Sequence, residues 1–202
     1  MSGPRVAILI SGRGSNMRAI VDAARRDDWP CTFAVVLSNN ADAGGLAYAQ
    51  DLGIATEVVD HRRYGRTRRR EYDGELVRVL RSYDVDWVVL AGFMRILSPV
   101  FIEAYAGRIL NIHPSLLPDF PGLHTHERAL EAGVSEHGCS VHLVDESLDG
   151  GPLVGQARVP VLPGDTPDSL AARVLEQEHV LYPAMVHAAV TGALRPLNRS
   201  SA

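Results

Sequence analysis

The sequence predicts an α/β fold: a single domain on a doubly wound, mainly parallel sheet of the Rossmann-like kind, with an antiparallel extension at its C-terminal side. Three observations lead there. Short apolar runs alternate with helical stretches as far as His113, the pattern of repeated βαβ units. A glycine turn, Gly12-Arg13-Gly14, joins the first apolar run directly to the first helical stretch, as phosphate-binding βα turns do. The hydrophobic period then switches to strict alternation from Gly138 to Val144, which marks a strand with one face in a core and the other facing something polar.

Taken in order, Arg5–Ile10 reads as a buried strand and Ser15–Arg26 as the helix that follows the turn. Thr32–Ser38 is a second apolar strand, residues 42–51 a second helix and residues 56–59 a short third strand. After an arginine run, residues 67–81 are helical, residues 86–91 make a strongly apolar fourth strand and residues 98–105 a short helix. Ile109–His113 is the fifth strand; Pro114 removes a backbone donor and holds His113 extended, so this strand ends in an opening. Residues 123–132 are helical. In the alternating segment Cys139, Val141 and Leu143 share one face, and Ser140 and His142 share the other. The bend Asp149-Gly150-Gly151-Pro152 then precedes a return strand over residues 153–161, hence the antiparallel extension. Pro167 opens a final amphipathic helix with an interruption expected near Pro183, and the last six residues read as frayed. Ligands of such a sheet sit beyond the carboxyl ends of its strands.

Composition excludes several functions. A chain of 202 residues holds one domain with a full core. Hydrophobic residues make up 46% and charged residues 22%, no apolar run is long enough to span a bilayer, and the N-terminus does not resemble a secretory signal. A cytoplasmic protein with no membrane role is expected. Cys31 and Cys139 sit in no zinc-type spacing and are expected as buried free thiols. All 20 basic residues are arginine, so a Schiff-base lysine and the phosphate-cradling lysine of a P-loop are both excluded. The formal charge of -4 argues against nucleic-acid binding. Residues 60–71 nevertheless hold six arginines against two acids. Such a run is a solvated helix start, or, beside a cleft, an attractor for a polyanionic substrate tail.

The candidate site residues follow from spacing. Asn111 and His113, two apart on a strand, share a face, so an amide donor and an imidazole meet at the strand mouth; the bland alternative is a polar strand end. Gly14-Ser15-Asn16 opens like a dinucleotide fingerprint, but Met17 occupies the third glycine position and the second strand ends Ser38-Asn39-Asn40 without an acid for a ribose. NAD is therefore not expected. What remains is a helix N-terminus aided by two polar side chains, which suits one phosphate or a plain tight turn. Asp149 is either a turn former or, near His113, a carboxylate that favours the charged imidazole and relays a proton through water. His142 can orient a neighbour or do chemistry itself, and Ser140 shares its face. His124 and His126, taken with His137 or His142, lack an acid or cysteine at matching spacing, so no metal is expected.

Four segments together resemble one family: Ile10-Ser11-Gly12-Arg13-Gly14-Ser15-Asn16, Leu90-Ala91-Gly92-Phe93-Met94-Arg95-Ile96-Leu97, the stretch 111–126, and the stretch 142–152 with its Asp149-Gly150-Gly151-Pro152. In order and spacing they are similar to the phosphoribosylglycinamide formyltransferases, folate-dependent enzymes of purine synthesis, over roughly residues 5–195. The resemblance implies a domain of formyltransferase type that moves the formyl group of 10-formyltetrahydrofolate, used as co-substrate, to the amine of glycinamide ribonucleotide without a metal. It implies Asn111, His113 and Asp149 as the catalytic trio, supported by Ser140 and His142. Gly14, Ser15 and Asn16 would hold the phosphate and Glu178 the ribose hydroxyls. Leu90, Ile96, Leu97 and Val144 would wall the pteridine, its polar edge meeting backbone at Met94, Arg95, Ile96 and Leu97 and from Asp145 to Asp149. Arg69 would meet the folate's glutamate carboxylate, with neighbouring arginines drawing longer polyglutamate tails. On this reading residues 1–110 form a nucleotide- or phosphate-binding half and residues 111–202 a folate-binding and catalytic half.

Two positions depart from the pattern: Arg13 where relatives can carry a neutral residue, and Leu175 where a polar or basic phosphate partner is expected. Methionyl-tRNA formyltransferase and formyltetrahydrofolate hydrolase share the Asn-x-His-Pro-Ser-Leu-Leu-Pro segment. Length and the Gly14-Ser15-Asn16 loop favour the small phosphorylated acceptor over both. A non-catalytic nucleotide-binding regulator is the alternative of a different class. The expected partners are small molecules, with no nucleic acid or membrane; a homodimer is compatible with the sequence.

Overall fold

A computed structural model describes residues 3–65 and 67–197. β1 (Arg5–Ile10) is buried on both faces: Val6, Ile8 and Ile10 point into one hydrophobic layer, and Ala7 and Leu9 into the other, as the two-residue period of a strand requires. The remaining elements are α1 (Ser15–Arg26), β2 (Thr32–Ser38), α2 (Gly45–Asp51), β3 (Thr56–Val58), α3 (Arg69–Ser82), β4 (Trp87–Leu90), α4 (Pro99–Ala104), β5 (Ile109–His113), α5 (Thr125–Glu131), β6 (Glu136–Leu143), β7 (Leu153–Pro160) and α6 (Pro167–Val190), with a short 3-10 turn at His61–Arg63. The sheet order is β3-β2-β1-β4-β5-β6-β7. Strands β1 to β5 pair in parallel, whereas β6 and β7 are antiparallel. Strand order reverses between β1 and β4, the crevice where open α/β sheets bind ligands.

One layer packs side chains of α1, α2, α5 and α6 on the sheet, and the other packs α3 and α4. The loop from β1 to α1 needs Gly14, whose φ is +71° and whose added Cβ would lie 2.9 Å from Met17 Cε and 3.1 Å from the Gly45 Cα. A side chain there would strain the left-handed backbone and crowd the Gly45 backbone, which favours glycine. No side chain caps this end of α1.

The elements match the sequence reading with a few corrections. α2 begins at Gly45, not at 42, because the Asn40 side chain accepts a 3.1 Å bond from the Asp42 N–H and holds those residues in a turn. The interruption expected at Pro183 does not occur: α6 is continuous through it. Proline removes a single helical bond, whereas Leu170, Val174, Tyr182, Val186 and Val190 are buried along the helix, and tertiary packing supplies most helix stability. Thr166 and Ser169 close a capping box at its start. Cys31 is half-buried, not buried. Cys139 is buried as expected, and burial pushes its thiol up to about 12. The frayed end expected for the last six residues falls, from residue 198 onward, outside the described residues.

His137, on the core side of β6, is 1% exposed, and neither ring nitrogen has a hydrogen-bond partner. Burial, reinforced by the neighbouring His126, pushes its pKa from 6.5 down to about 4; the Pro114 backbone offsets part of this without reaching hydrogen-bond geometry. The unfolded chain therefore binds this proton at higher pH than the folded one, and the fold is penalised as pH falls from 6.5 towards 4, by about 2 kcal/mol at pH 5. Between pH 7 and pH 5 the protein is expected to lose about 2 kcal/mol of unfolding free energy relative to its His137→Phe variant in urea titrations. Parallel pH dependences would contradict this.

Candidate active site

The site is built by strand register. β5 and β6 pair so that Asn111 stands opposite His142 and His113 opposite Ser140. Directly opposed residues of an antiparallel pair project to the same side, so four polar side chains gather on one face while Leu110, Ile112, Cys139 and Val141 fill the core behind. His113 is only 6% exposed, and Ser140 and His142 are buried.

Each group has an assigned partner. Burial lowers the His142 pKa more than the nearby Asp149 raises it, so the ring is neutral. His142 Nδ1 donates to the Leu143 carbonyl at 3.1 Å, and Nε2 accepts from Asn111 Nδ2 at 3.1 Å. That fixes the Asn111 amide with a second N–H to spare. His113 Nε2 donates to the Phe120 carbonyl at 3.0 Å, which leaves Nδ1 facing Asp149 Oδ2 at 3.5 Å. Asp149 lies in the β6–β7 loop in a left-handed conformation, φ +51°, its Oδ2 accepting from the Gly122 N–H at 2.9 Å and its Oδ1 3.7 Å from His142 Nε2. Ser140 Oγ donates to the Ser115 carbonyl and accepts from the Leu117 N–H and Gln156 Nε2. It pins the segment after β5 instead of facing the cleft.

The glycine loop is tied to the last helix. Asn16 Nδ2 donates to Glu178 Oε2 at 2.6 Å, both side chains being buried, and burial raises the Glu178 pKa despite that bond. Ser15 is half-buried and Arg13 exposed at the same loop, while Leu175 is half-buried one turn before Glu178. Across the crevice, Ser11 Oγ accepts from the Met94 N–H at 2.8 Å, joining the loops after β1 and β4. Tyr182 on α6 is fully buried, its hydroxyl 2.8 Å from the Leu90 carbonyl and 3.0 Å from the Leu110 carbonyl, which locks β4 to β5.

Beyond β4, Leu90 and Leu97 are buried, Val144 is half-buried, and Met94 and Ile96 stand 72% and 65% exposed. Large apolar side chains at that exposure suit a flat apolar ligand. Arg69 donates to the Leu97 carbonyl, its Nε buried and unpartnered, and Arg95 stacks over Tyr72 at 5.3 Å. Asp145 accepts from the Ser147 N–H at 2.9 Å and shapes the start of the β6–β7 loop. In the arginine run, Asp60 pairs with Arg62 and Glu71 with Arg68, leaving Arg63 and Arg70 exposed without an ion pair among the described residues; Arg66 lies outside them. His126 and His137 approach to 5.2 Å, but His142 is on the opposite face of β6, and no group of three or more His, Cys, Asp or Glu is placed to hold a metal among the described residues. No helix among them is long and apolar enough to cross a membrane.

Sequence reasoning missed the backbone partners, the Phe120 carbonyl and Gly122 N–H, and the supports Ser11, Gln156 and Tyr182. The Pro121-Gly122 pair was the one available signal, marking a turn beside the site.

What remains open from geometry alone is the reaction. A family model described as formyl transferase matches residues 4–186, a span that includes every polar group named above. The chain belongs to the formyl transferase family. Within the formyl transferases it is similar to phosphoribosylglycinamide formyltransferase of Escherichia coli (strain K12), 52% identical over 190 residues that make up 94% of this chain and 89% of that relative. The protein of the same name from Haemophilus influenzae is 45% identical over 191 residues, 95% of this chain and 89% of that relative. The crystal structure of glycinamide ribonucleotide transformylase 1 from Symbiobacterium toebii superposes with a TM-score of 0.92 at 43% identity, covering 98% of this chain and 92% of that one.

Proposed function

We propose that this formyl transferase moves the formyl group of 10-formyltetrahydrofolate to the amine of phosphoribosylglycinamide in purine biosynthesis, with Asn111, His113 and Asp149 as catalytic residues. The observation that carries the assignment to this site is the arrival of Asp149 3.5 Å from His113 Nδ1, beside the Asn111 amide, at the mouth of β5.

The amine nitrogen attacks the formyl carbon, forming a C–N bond and a tetrahedral adduct that carries an oxyanion and an ammonium. The free Asn111 N–H donates to the oxyanion, and the second donor is His113 protonated at Nδ1, the ring nitrogen that the Phe120 carbonyl leaves free, each donor being worth on the order of 3 kcal/mol in comparable acyl transfers. Asp149, 3.5 Å from His113 Nδ1, orients the ring and, through a water, moves the ammonium proton to the folate N10. The C–N10 bond then breaks, releasing tetrahydrofolate and the formylated ribonucleotide. No nucleophile from the chain is required, in keeping with a high thiol pKa at Cys139 and the lack of lysine.

The phosphate is assigned to Gly14, Ser15 and Asn16 at the open end of α1, with Glu178 on the ribose; this site draws on both the 1–110 and the 111–202 halves. Leu90, Met94, Arg95, Ile96, Leu97, Val144 and Asp145 border the folate, and Arg69 meets its glutamate. Arg13 supplies the charge that Leu175 does not. Arg13→Ala is accordingly expected to raise KM for the ribonucleotide about tenfold and that for the folate less than twofold; equal or absent changes in steady-state kinetics would contradict it.

The test of the function is the absorbance change of 10-formyltetrahydrofolate with and without phosphoribosylglycinamide. Conversion only with the ribonucleotide supports the reading. Conversion without it identifies a hydrolase, and none in either case a binder.

A further inference from the structure

We infer that Arg128 is a positioning residue for the formyl transfer, acting through residues 120–123, a strap whose backbone orients both His113 and Asp149; the inference rests on the function proposed above. Two backbone groups of this strap face the two catalytic side chains. The Phe120 carbonyl accepts from His113 Nε2 at 3.0 Å, and the Gly122 N–H donates to Asp149 Oδ2 at 2.9 Å. The carbonyl between them, that of Pro121, points to Arg128, whose Nη1 donates to it at 2.6 Å and reaches the Leu123 carbonyl at 3.4 Å.

The strap needs such an anchor. Phe120 has φ +53°, a conformation that bulky residues adopt only where the surroundings enforce it. Its ring meets the Arg128 guanidinium at 5.6 Å on one contact and the edge of His137 at 6.0 Å on another. Arg128 makes no ion pair among the described residues, so its donors serve these carbonyls. Its position on α5 transmits the packing of that helix, through the buried Ala129, to the strap. A guanidinium suits the task because its rigid fork presents several N–H groups in one plane and also stacks on an aromatic face. If the fork is lost, the peptides at 120–122 turn more freely, and the His113 tautomer and the Asp149 carboxylate are no longer fixed together.

Two variants test this. Arg128→Met keeps an apolar stem against Phe120 and removes all donors, while Arg128→Lys returns an ammonium without the planar fork. The expected result for Arg128→Met is a fall in kcat of about tenfold, since small misplacements of catalytic groups are amplified in rate, with KM for the ribonucleotide within about twofold because its site at Asn16 and Glu178 does not touch the strap. Arg128→Lys should recover at least half of the lost kcat. By NMR, the His113 ring-proton signal, identified by its loss in His113→Gln, should broaden or shift in Arg128→Met. An Arg128→Met enzyme with wild-type kcat, or equal losses in both variants with the His113 signal unmoved, would overturn the inference. Should Arg128→Met fail to fold, Arg128→Gln, whose shorter side chain cannot reproduce the fork, takes its place under the same criteria, and an unmoved His113 signal with wild-type kcat would overturn the inference. Failure of the wild type to transfer formyl to the ribonucleotide would instead defeat the functional reading, and the NMR comparison would still decide the strap.

Discussion

His113→Ala is expected to lower kcat about a hundredfold or more, the range found when a positioned proton donor or oxyanion partner is removed. Binding of both substrates should stay near wild-type strength, because the proposed assignment places the ribonucleotide at Gly14, Ser15, Asn16 and Glu178 and the folate at the loop after β4. The ring is buried and bonded to the Phe120 carbonyl, so its loss also leaves that acceptor unpaired at a cost of about 1 kcal/mol, small beside a stability of about 5 kcal/mol or more. Steady-state kinetics with a folded-state check by circular dichroism measure both. A variant that turns over within a few-fold of wild type would remove His113 from the mechanism.

The second large effect is expected at Asp149. Asp149→Asn retains an oxygen that can accept from the Gly122 N–H, so the strap and the loop keep their contact while the negative charge facing His113 Nδ1 disappears. Turnover should fall about a hundredfold, with little change in the unfolding midpoint. The carboxylate is the only acid within ion-pair distance of His113 among the described residues. Loss of substrate binding with kcat intact would show instead that Asp149 holds the folate and moves no proton.

The parallel half of the sheet was legible because β1, β2 and β4 are nearly unbroken apolar runs, and such runs between helices leave little choice of architecture. The shared face of Asn111 and His113 followed from the two-residue period alone. Two features were beyond reach. The register that sets His142 opposite Asn111 depends on how residues 114–135 cross between β5 and β6, and no local pattern encodes that. The approach of Asp149 depends on a left-handed backbone at that residue, which its sequence context allows but does not compel. The Phe120 carbonyl and Gly122 N–H were hidden for a third reason: every residue has these groups, so residue type carries no mark of their use. The continuous α6 shows the limit of local rules, since Pro183 breaks helices in isolation but here sits in a helix held by its burial against the sheet.

The unity of the His113 and Asp149 pair is tested most directly by the double variant His113→Ala/Asp149→Asn. Groups that act together lose their effect together, so the double variant is expected to fall within a few-fold of His113→Ala alone. Losses that multiply, to about ten thousandfold, would mean that the two side chains act independently and that their meeting at the end of β5 is not what drives formyl transfer.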